Sequence, residues 1–311
     1  MVDGRRFLDP KTLAKITRLE VRARLVVEGY LTGLHKSPYH GFAVEFASHR
    51  EYVPGDEIKH IDWKVWARND RLYIKEYEEE TNLRCTLILD CSRSMAYGGA
   101  SVRGGSGRGM SKFDYGATAV ACLAYLQQRQ QDAVSLVLFD NDIRLKLPSS
   151  THPSHLKLLL HELEQARPDH RSDIADVFRI LPEQLGRRGL VVLVSDLLVD
   201  LPTLREALRH FRHRRHEVVL FHVLHDDERT FPFQDHTLFR GLEVQVDLLT
   251  EPRALRRSYL QVLERFLTQV RKACADAGID YVPLSTADPL DAALSSYLAL
   301  RQRTIRTAHR R

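Results

Sequence analysis

The chain reads as an α/β fold: a doubly wound, mostly parallel sheet with helices on both faces. Three observations carry this reading. From residue 83 onward, short apolar β-branched runs alternate with longer helical segments. Those runs are apolar throughout, as strands buried on both faces require. One pair, Val134–Phe139 and Ile143–Leu147, is joined by a tight turn at Asn141-Asp142, which makes a hairpin and places one antiparallel strand at an edge.

The elements follow in order. Pro10 to about Leu31 is expected to be helical, because Leu13, Ile16, Leu19 and Leu25 recur at helical spacing and Pro10 suits a first turn. Residues 33–82 change texture. Gly33, Pro38, Gly41, Pro54 and Gly55 punctuate strand-like pieces at Phe42–Phe46 and Leu72–Tyr77. Trp63 and Trp66 fall on a short helical stretch, IDWKVWAR. Residues 1–82 are therefore expected to form an N-terminal helix plus a strand/loop extension, a mixed α/β addition to the main domain.

Cys85–Leu89 is the first buried strand of the main domain, 83–290. The Gly-rich segment 98–111 fits neither G-x-x-x-x-G-K-[ST] nor G-x-G-x-x-G and reads as a surface insertion. Lys112 to Gln130 is apolar on nearly all sides and is expected to be a buried helix. After the hairpin come helices near 153–166 and 174–185, and strand Leu190–Val194. A basic helix at 202–214 and strand Val218–Leu224 follow. The connector 226–251 holds a strand-like piece, Leu242–Leu248. Helix 252–277, strand Ile279–Leu284 and a helix from Asp288 to Arg301 complete the pattern, with 291–311 as helix end and basic tail.

Composition narrows the function classes. A hydrophobic content of 43% supports a sizeable core, and 46 Lys+Arg against 41 Asp+Glu leave only +5. That balance is far from one that coats nucleic acid. The four cysteines form no C-x-x-C, which fits reduced thiols in a cytoplasmic protein. The opening MVDGRRFLDPK lacks the apolar core of a signal peptide, and no apolar run is long enough to span a bilayer. A cytoplasmic location without direct membrane insertion is expected.

The chemistry is expected at Asp90, which ends the first sheet strand and is followed by Ser92 and Ser94 in D-x-S-x-S. A strand that delivers a carboxylate and two hydroxyls to its solvent-facing end makes an oxygen site for a hard cation. The same residues also suit turn and helix capping. Asp196 ends the fourth strand. In the common 3-2-1-4-5 strand order the first and fourth strands are neighbours at the switch point, where ligands bind outside the carboxyl ends. A third loop, Arg171-Ser172-Asp173, reaches the same rim, with Ser172 as a further hydroxyl or as a helix N-cap.

These residues resemble a known family. D-x-S-x-S, a later hydroxyl loop and a later strand-ending Asp are similar to the metal-ion-dependent adhesion site of von Willebrand factor A-like domains. YVPGDEIKHIDWKVWARNDRLYIKEYEEE, 52–80, and SKFDYGATAVACLAYLQQRQQDAVSLVLFD, 111–140, resemble one bacterial branch, found with MoxR-type AAA+ ATPases. The resemblance covers roughly residues 30–290. It implies a von Willebrand factor A-like fold and five metal-site residues: Asp90, Ser92, Ser94, Ser172 and Asp196. It also implies Mg²⁺, with Mn²⁺ as a chemical equivalent, and an open position filled by an acidic residue of a partner protein. The family pattern has Thr in a Gly-rich third loop, where this chain has Ser172 in HRSDI. The implied function is non-enzymatic: an adaptor that works with a MoxR-type ATPase in chaperone-like remodelling of clients. The alternative is a regulatory or scaffold protein of the same fold without functional metal binding.

Other readings fit less well. A haloacid-dehalogenase phosphotransferase needs a second Asp where Ser92 stands, and a serine hydrolase needs a G-x-S-x-G elbow that is absent. The basic clusters around Arg209–His216 and in the tail lack the interleaved aromatics of a nucleic-acid surface. A zinc site at His210, His213 and His216 is not expected, and His222 and His225 read as core or rim residues. Asp56 and Asp62 suit turns and caps, and the acidic run at Glu76 to Glu80 suits a solvated strand end.

Overall fold

The computed structural model describes residues 13, 16, 18–34, 49–51, 66, 73–75, 84–98, 109–169, 174–185, 188–213, 216–243, 246–290 and 294–295. By internal contacts the chain divides into one unit of residues 1–33 and 83–311 and a second of 34–82. The N-terminal helix α1, Leu19–Leu34, thus belongs with the main domain, whereas the expectation grouped it with the extension. In the second unit two short strands, β1 (His49–Glu51) and β2 (Tyr73–Lys75), pair antiparallel. The expected strand at Phe42–Phe46, the position of Trp63 and the C-terminal helix beyond residue 295 lie outside the described residues.

The main domain is built on six strands: β3 (Arg84–Asp90), β4 (Ala133–Phe139), β5 (Ile143–Ser150), β6 (Leu190–Ser195), β7 (Glu217–Leu224) and β10 (Asp280–Ser285). Their order across the sheet is β10-β7-β6-β3-β4-β5, parallel throughout except for the edge strand β5. This is the doubly wound α/β sheet with one antiparallel edge strand. The chain winds outward from β3 in one direction and from β6 in the other, so β3 and β6 lie side by side at the switch point.

Alternate residues of the buried strands feed two apolar layers, because successive strand side chains point to opposite faces. Ile88, Val137, Leu193 and Leu220 pack with α4 (Ile174–Gln184), α5 (Leu201–His213) and the C-terminal part of α7 (Pro252–Ala277). On the other face lies α2 (Lys112–Arg129), and a Cβ at its Gly116 would stand 3.1 Å from Val194 and 3.2 Å from Leu89. The near-continuous apolar surface of α2 has two causes. One flank meets the sheet, and another meets α1, where Arg22 donates to Thr118 Oγ1 at 3.0 Å and Cys122 Sγ lies 3.8 Å from Ala23 O. Helix α3 (Pro153–Gln165) joins α1 through a hydrogen bond from Leu19 N to Glu164 Oε1.

The connector differs from its expectation. The period-two run at Leu242–Leu248 reads as one strand, but the chain forms a hairpin of β8 (Thr237–Arg240) and β9 (Asp247–Thr250) after a short helix α6 (Asp226–Thr230). Gly241 N donates to Val246 O and closes the turn inside the run. A rim of Phe231, Phe233, Phe239 and Tyr259 anchors strand β8 of the hairpin, with ring centroids 4.6–5.8 Å apart.

Helix α7 ends at Gly278, whose φ of +66° favours glycine. Ile279 N bonds Cys274 O and Gly278 N bonds Ala275 O, a Schellman arrangement that turns the chain into β10. A Cβ added at this position would meet no heavy atom within 4 Å, so Gly278→Ala carries only the left-handed backbone cost. Urea unfolding of this variant should show a loss of about 1–2 kcal/mol, with the fold retained by circular dichroism.

Candidate metal centre

Parallel pairing of β3 with β6, with Leu89 opposite Val194, brings Asp90 and Ser195-Asp196 to one end of the sheet. Both carboxylates are buried. Asp90 Oδ1 accepts from Ser92 N at 2.8 Å, and Oδ2 accepts from Ser195 Oγ at 2.6 Å. Ser195 Oγ in turn accepts from Leu197 N at 3.0 Å. Leu197 has a φ of +51°. A non-glycine residue in the left-handed region is strained, and such strain gathers where a site fixes the backbone.

After Asp90 the chain makes a 3-10 turn over Arg93–Ala96. Ser92 and Ser94 are buried with it, not solvent-facing as the strand-end reading expected. The cause is local: Met95 is driven into the core, and Lys112 N bonds back to Tyr97 O, drawing the turn inward. Gly98 closes it with a φ of +93°, and a Cβ there would fall 2.3 Å from the His225 ring. Ser92 Oγ and Ser94 Oγ stand 3.0 Å apart, and Ser94 also hydrogen-bonds the Asp196 carboxylate. Four of the five expected residues, Asp90, Ser92, Ser94 and Asp196, therefore share one crevice. Ser172 lies outside the described residues.

The reading from sequence missed a buried cation. Lys112 Nζ lies 2.7 Å from Asp196 Oδ2 and 2.7 Å from Glu228 Oε1, with its side chain 3% exposed. The signal was present as a lysine in the first turn of a helix otherwise apolar on nearly all sides. Glu228 is placed by a reciprocal cap on α6: its Oε2 accepts from His225 N at 2.7 Å. His222, expected as core or rim, is fully buried and sits behind the site. Its Nε2 faces Asp196 O at 2.9 Å and its Nδ1 faces Tyr281 Oη at 2.8 Å. A carbonyl only accepts, so Nε2 carries the proton and Nδ1 accepts from the tyrosine. Glu243, at the turn of the β8–β9 hairpin, accepts from Ser94 N at 3.3 Å. No local sequence signal marks Glu243, because its proximity is wholly tertiary.

The electrostatics follow from burial. Asp90 is pushed up to about 7, first by burial and then by the charge of Asp196. Burial also opposes the charge on Asp196, but the Lys112 ammonium and the bonds from Lys112 and Ser94 hold its carboxyl below the ordinary range. Burial opposes the charge on Lys112 as well, yet Asp196 and Glu228 raise its ammonium above the usual lysine value. His222 falls to about 4, chiefly by burial, and stays neutral. With Asp90 ionised, three carboxylates face one ammonium, so the cluster is left short of positive charge.

The donor set fits a hard divalent cation. Adjacent corners of an Mg²⁺ octahedron are about 3.0 Å apart, given metal–oxygen distances of roughly 2.1 Å. The two serine oxygens have that spacing, which equally suits the hydroxyl–hydroxyl hydrogen bond they make. Among the described residues no three His, Cys, Asp or Glu side chains form a metal-binding group. The candidate donors are two carboxylates and serine hydroxyls, a set that suits Mg²⁺ rather than zinc.

The pattern of a family described as "Protein of unknown function DUF58" matches residues 48–266. The chain belongs to the DUF58 family. It is 25% identical over 306 residues to "Uncharacterized protein Rv1480" of Mycobacterium tuberculosis, covering 97% of this chain and 93% of that one. The same values hold for "Uncharacterized protein Mb1516" of Mycobacterium bovis. Among solved structures, BatB from Bacteroides thetaiotaomicron is 14% identical with a TM-score of 0.43, covering 71% of this chain and 99% of its own. The SpRpn10 VWA domain is 10% identical with a TM-score of 0.39, covering 69% and 94%. The strand order carries the fold here, and these superpositions do not. Among the described residues no helix is long and apolar enough to cross a membrane.

Two outcomes are expected of this site. Lys112→Met removes the ammonium and leaves Asp196 and Glu228 unpaired, so urea unfolding in EDTA should show a loss of about 3–5 kcal/mol. Mg²⁺ should return part of that stability. The second concerns pH. Because the Asp90 pKa is raised on folding, its contribution to the cation-free protein is complete below the ordinary carboxylate value and is lost as pH rises towards 7. A divalent cation must displace that proton. Calorimetric titration with Mg²⁺ should therefore show affinity rising about tenfold per unit up to pH 7 and levelling above it. A flat profile between pH 5.5 and 8 would place the ion elsewhere.

Proposed function

We propose that this DUF58 chain is a metal-dependent protein-binding module rather than an enzyme. In this reading Mg²⁺, or Mn²⁺ in its place, is held at an adhesion-type site of a von Willebrand factor A-like domain. Ser92 and Ser94 would hold the ion through their hydroxyls, with Asp90, Asp196 and Ser172 supporting it directly or through water. Bound there, the ion supplies a positive centre for an incoming carboxylate. The observation that carries the reading is the pair of serine oxygens 3.0 Å apart between two buried carboxylates.

The residues of this chain have distinct parts in that mechanism. Asp90 is locked by Ser92 N and Ser195 Oγ, so its charge stays aimed at the serine pair. His222 grips the Asp196 carbonyl and fixes the end of β6. Lys112 neutralises one of the carboxylates and keeps the remaining charge within reach of a single divalent ion. The partner would bring an acidic side chain, and exchange of a water for it would give short-range attraction and specificity. The chain carries no nucleotide-binding loop, so energy-driven work would come from another subunit. The resemblance points to a cytoplasmic MoxR-type AAA+ ATPase, acting with this module in chaperone-like remodelling of client proteins.

A second reading, a regulatory or scaffold protein without functional metal binding, is favoured by Lys112 alone. Its ammonium already sits on Asp196 and would serve as a built-in cation. A pull-down separates the two. A MoxR-type AAA+ ATPase should be recovered in Mg²⁺, lost in EDTA, and lost with Asp90→Ala or Asp196→Ala. Equal recovery in every lane would sink the metal bridge.

A further inference from the structure

Glu243 has no part in the mechanism above. It nevertheless reaches the turn that carries both serines from 149 residues away in sequence. We propose that Glu243 is a tethered carboxylate that occupies the acceptor position of the Asp90–Ser92–Ser94 site and must be displaced by the acidic residue of a partner. This inference rests on the reading of that site as a metal-dependent binding centre.

Three features support it. The first is chemical identity. The group expected from a partner is a carboxylate, and the side chain that approaches Ser94 from another part of the fold is a carboxylate. Its contact is a 3.3 Å hydrogen bond from Ser94 N, at the long end of the useful range and easily exchanged. The second is charge. The buried cluster lacks positive charge without an ion, and Glu243 adds a further negative one. It is therefore poorly placed in the cation-free protein and well placed once a divalent ion is bound.

The third is mechanical. The hairpin is a separate two-stranded ladder, and such ladders are marginal by themselves. Its first strand, β8, is fixed by the stack of Phe239 with Phe231 and Phe233, which Tyr259 extends. Val246 in the turn and Leu248 and Leu249 on β9 are 58%, 53% and 71% exposed, so lifting the turn and β9 uncovers little apolar surface. A packed β8 beside an exposed turn and β9 permits Glu243, in that turn, to leave while the rest of the connector stays in place. A tethered group of this kind competes at an effective concentration in the millimolar range. If it holds the site nine-tenths of the time, a partner's apparent affinity falls about tenfold.

The test uses the full chain, with Mn²⁺ as the ion and acetate as the carboxylate probe. Water-proton relaxation counts the exchanging waters on bound Mn²⁺. Glu243→Ala should add one water and lower the acetate concentration that removes it by about tenfold. Glu243→Gln, which keeps an oxygen for Ser94 but no charge, should match the alanine variant in the acetate titration. Glu264→Ala, on the exposed face of α7, should behave as the wild type. Identical hydration and acetate response in wild type and Glu243→Ala overturns the proposal. Absence of Mn²⁺ binding by both proteins overturns the metal reading itself. A metal-free arm then decides the contact: in EDTA, amide exchange of residues 91–97 should speed up in Glu243→Ala, and unchanged exchange overturns the tether.

Discussion

Two carboxylates share one buried crevice only if positive charge joins them there. Asp90 and Asp196 are brought to adjacent strand ends by the β3–β6 pairing, and both are withdrawn from water. The interior strengthens the repulsion between them and the attraction to any cation by the same factor. Lys112 answers for Asp196 and Glu228, while Asp90 answers by holding its proton to about pH 7. The apparatus around the crevice follows from this imbalance: the inward 3-10 turn, the reciprocal cap on α6 and the neutral His222.

Lys112 gives the site a character that oxygen ligands alone would lack. A site with two buried carboxylates and no internal cation would be unstable until metal arrived. With the ammonium 2.7 Å from Asp196 and 2.7 Å from Glu228, the fold tolerates the ion-free state and still leaves an attraction for a divalent ion at Asp90. Neutral His222 adds no charge to this balance, since burial holds its pKa near 4. Its role is to pin the Asp196 carbonyl, and with it the direction of the loop that follows.

The connector between β7 and α7 adds a second layer. It supplies Glu228 from α6 and Glu243 from the hairpin, so a single insertion touches the site at two points. One contact is buried and charge-paired, and the other is long and half-exposed. That difference in strength separates a part that builds the site from a part suited to leaving it.

Much of the architecture was legible in the residues. Apolar runs ending at Asp90 and at Ser195-Asp196 named the strands, and the wholly apolar texture of those runs required a parallel sheet with both faces covered. The turn at Asn141-Asp142 marked the antiparallel edge. Strand order then followed from the few ways such a sheet winds, and with it the meeting of Asp90, Ser92, Ser94 and Asp196. Side-chain period and turn chemistry are local properties, so a sequence carries them openly. What only the tertiary structure decided was which charges face one another. Lys112 comes from the helix after the Gly-rich segment, Glu228 from a cap beyond β7, and Glu243 from a turn inside a run that alternates like a strand. Their convergence depends on long-range packing and on burial, which sets how strongly each charge acts, and neither is written in the spacing of neighbouring residues.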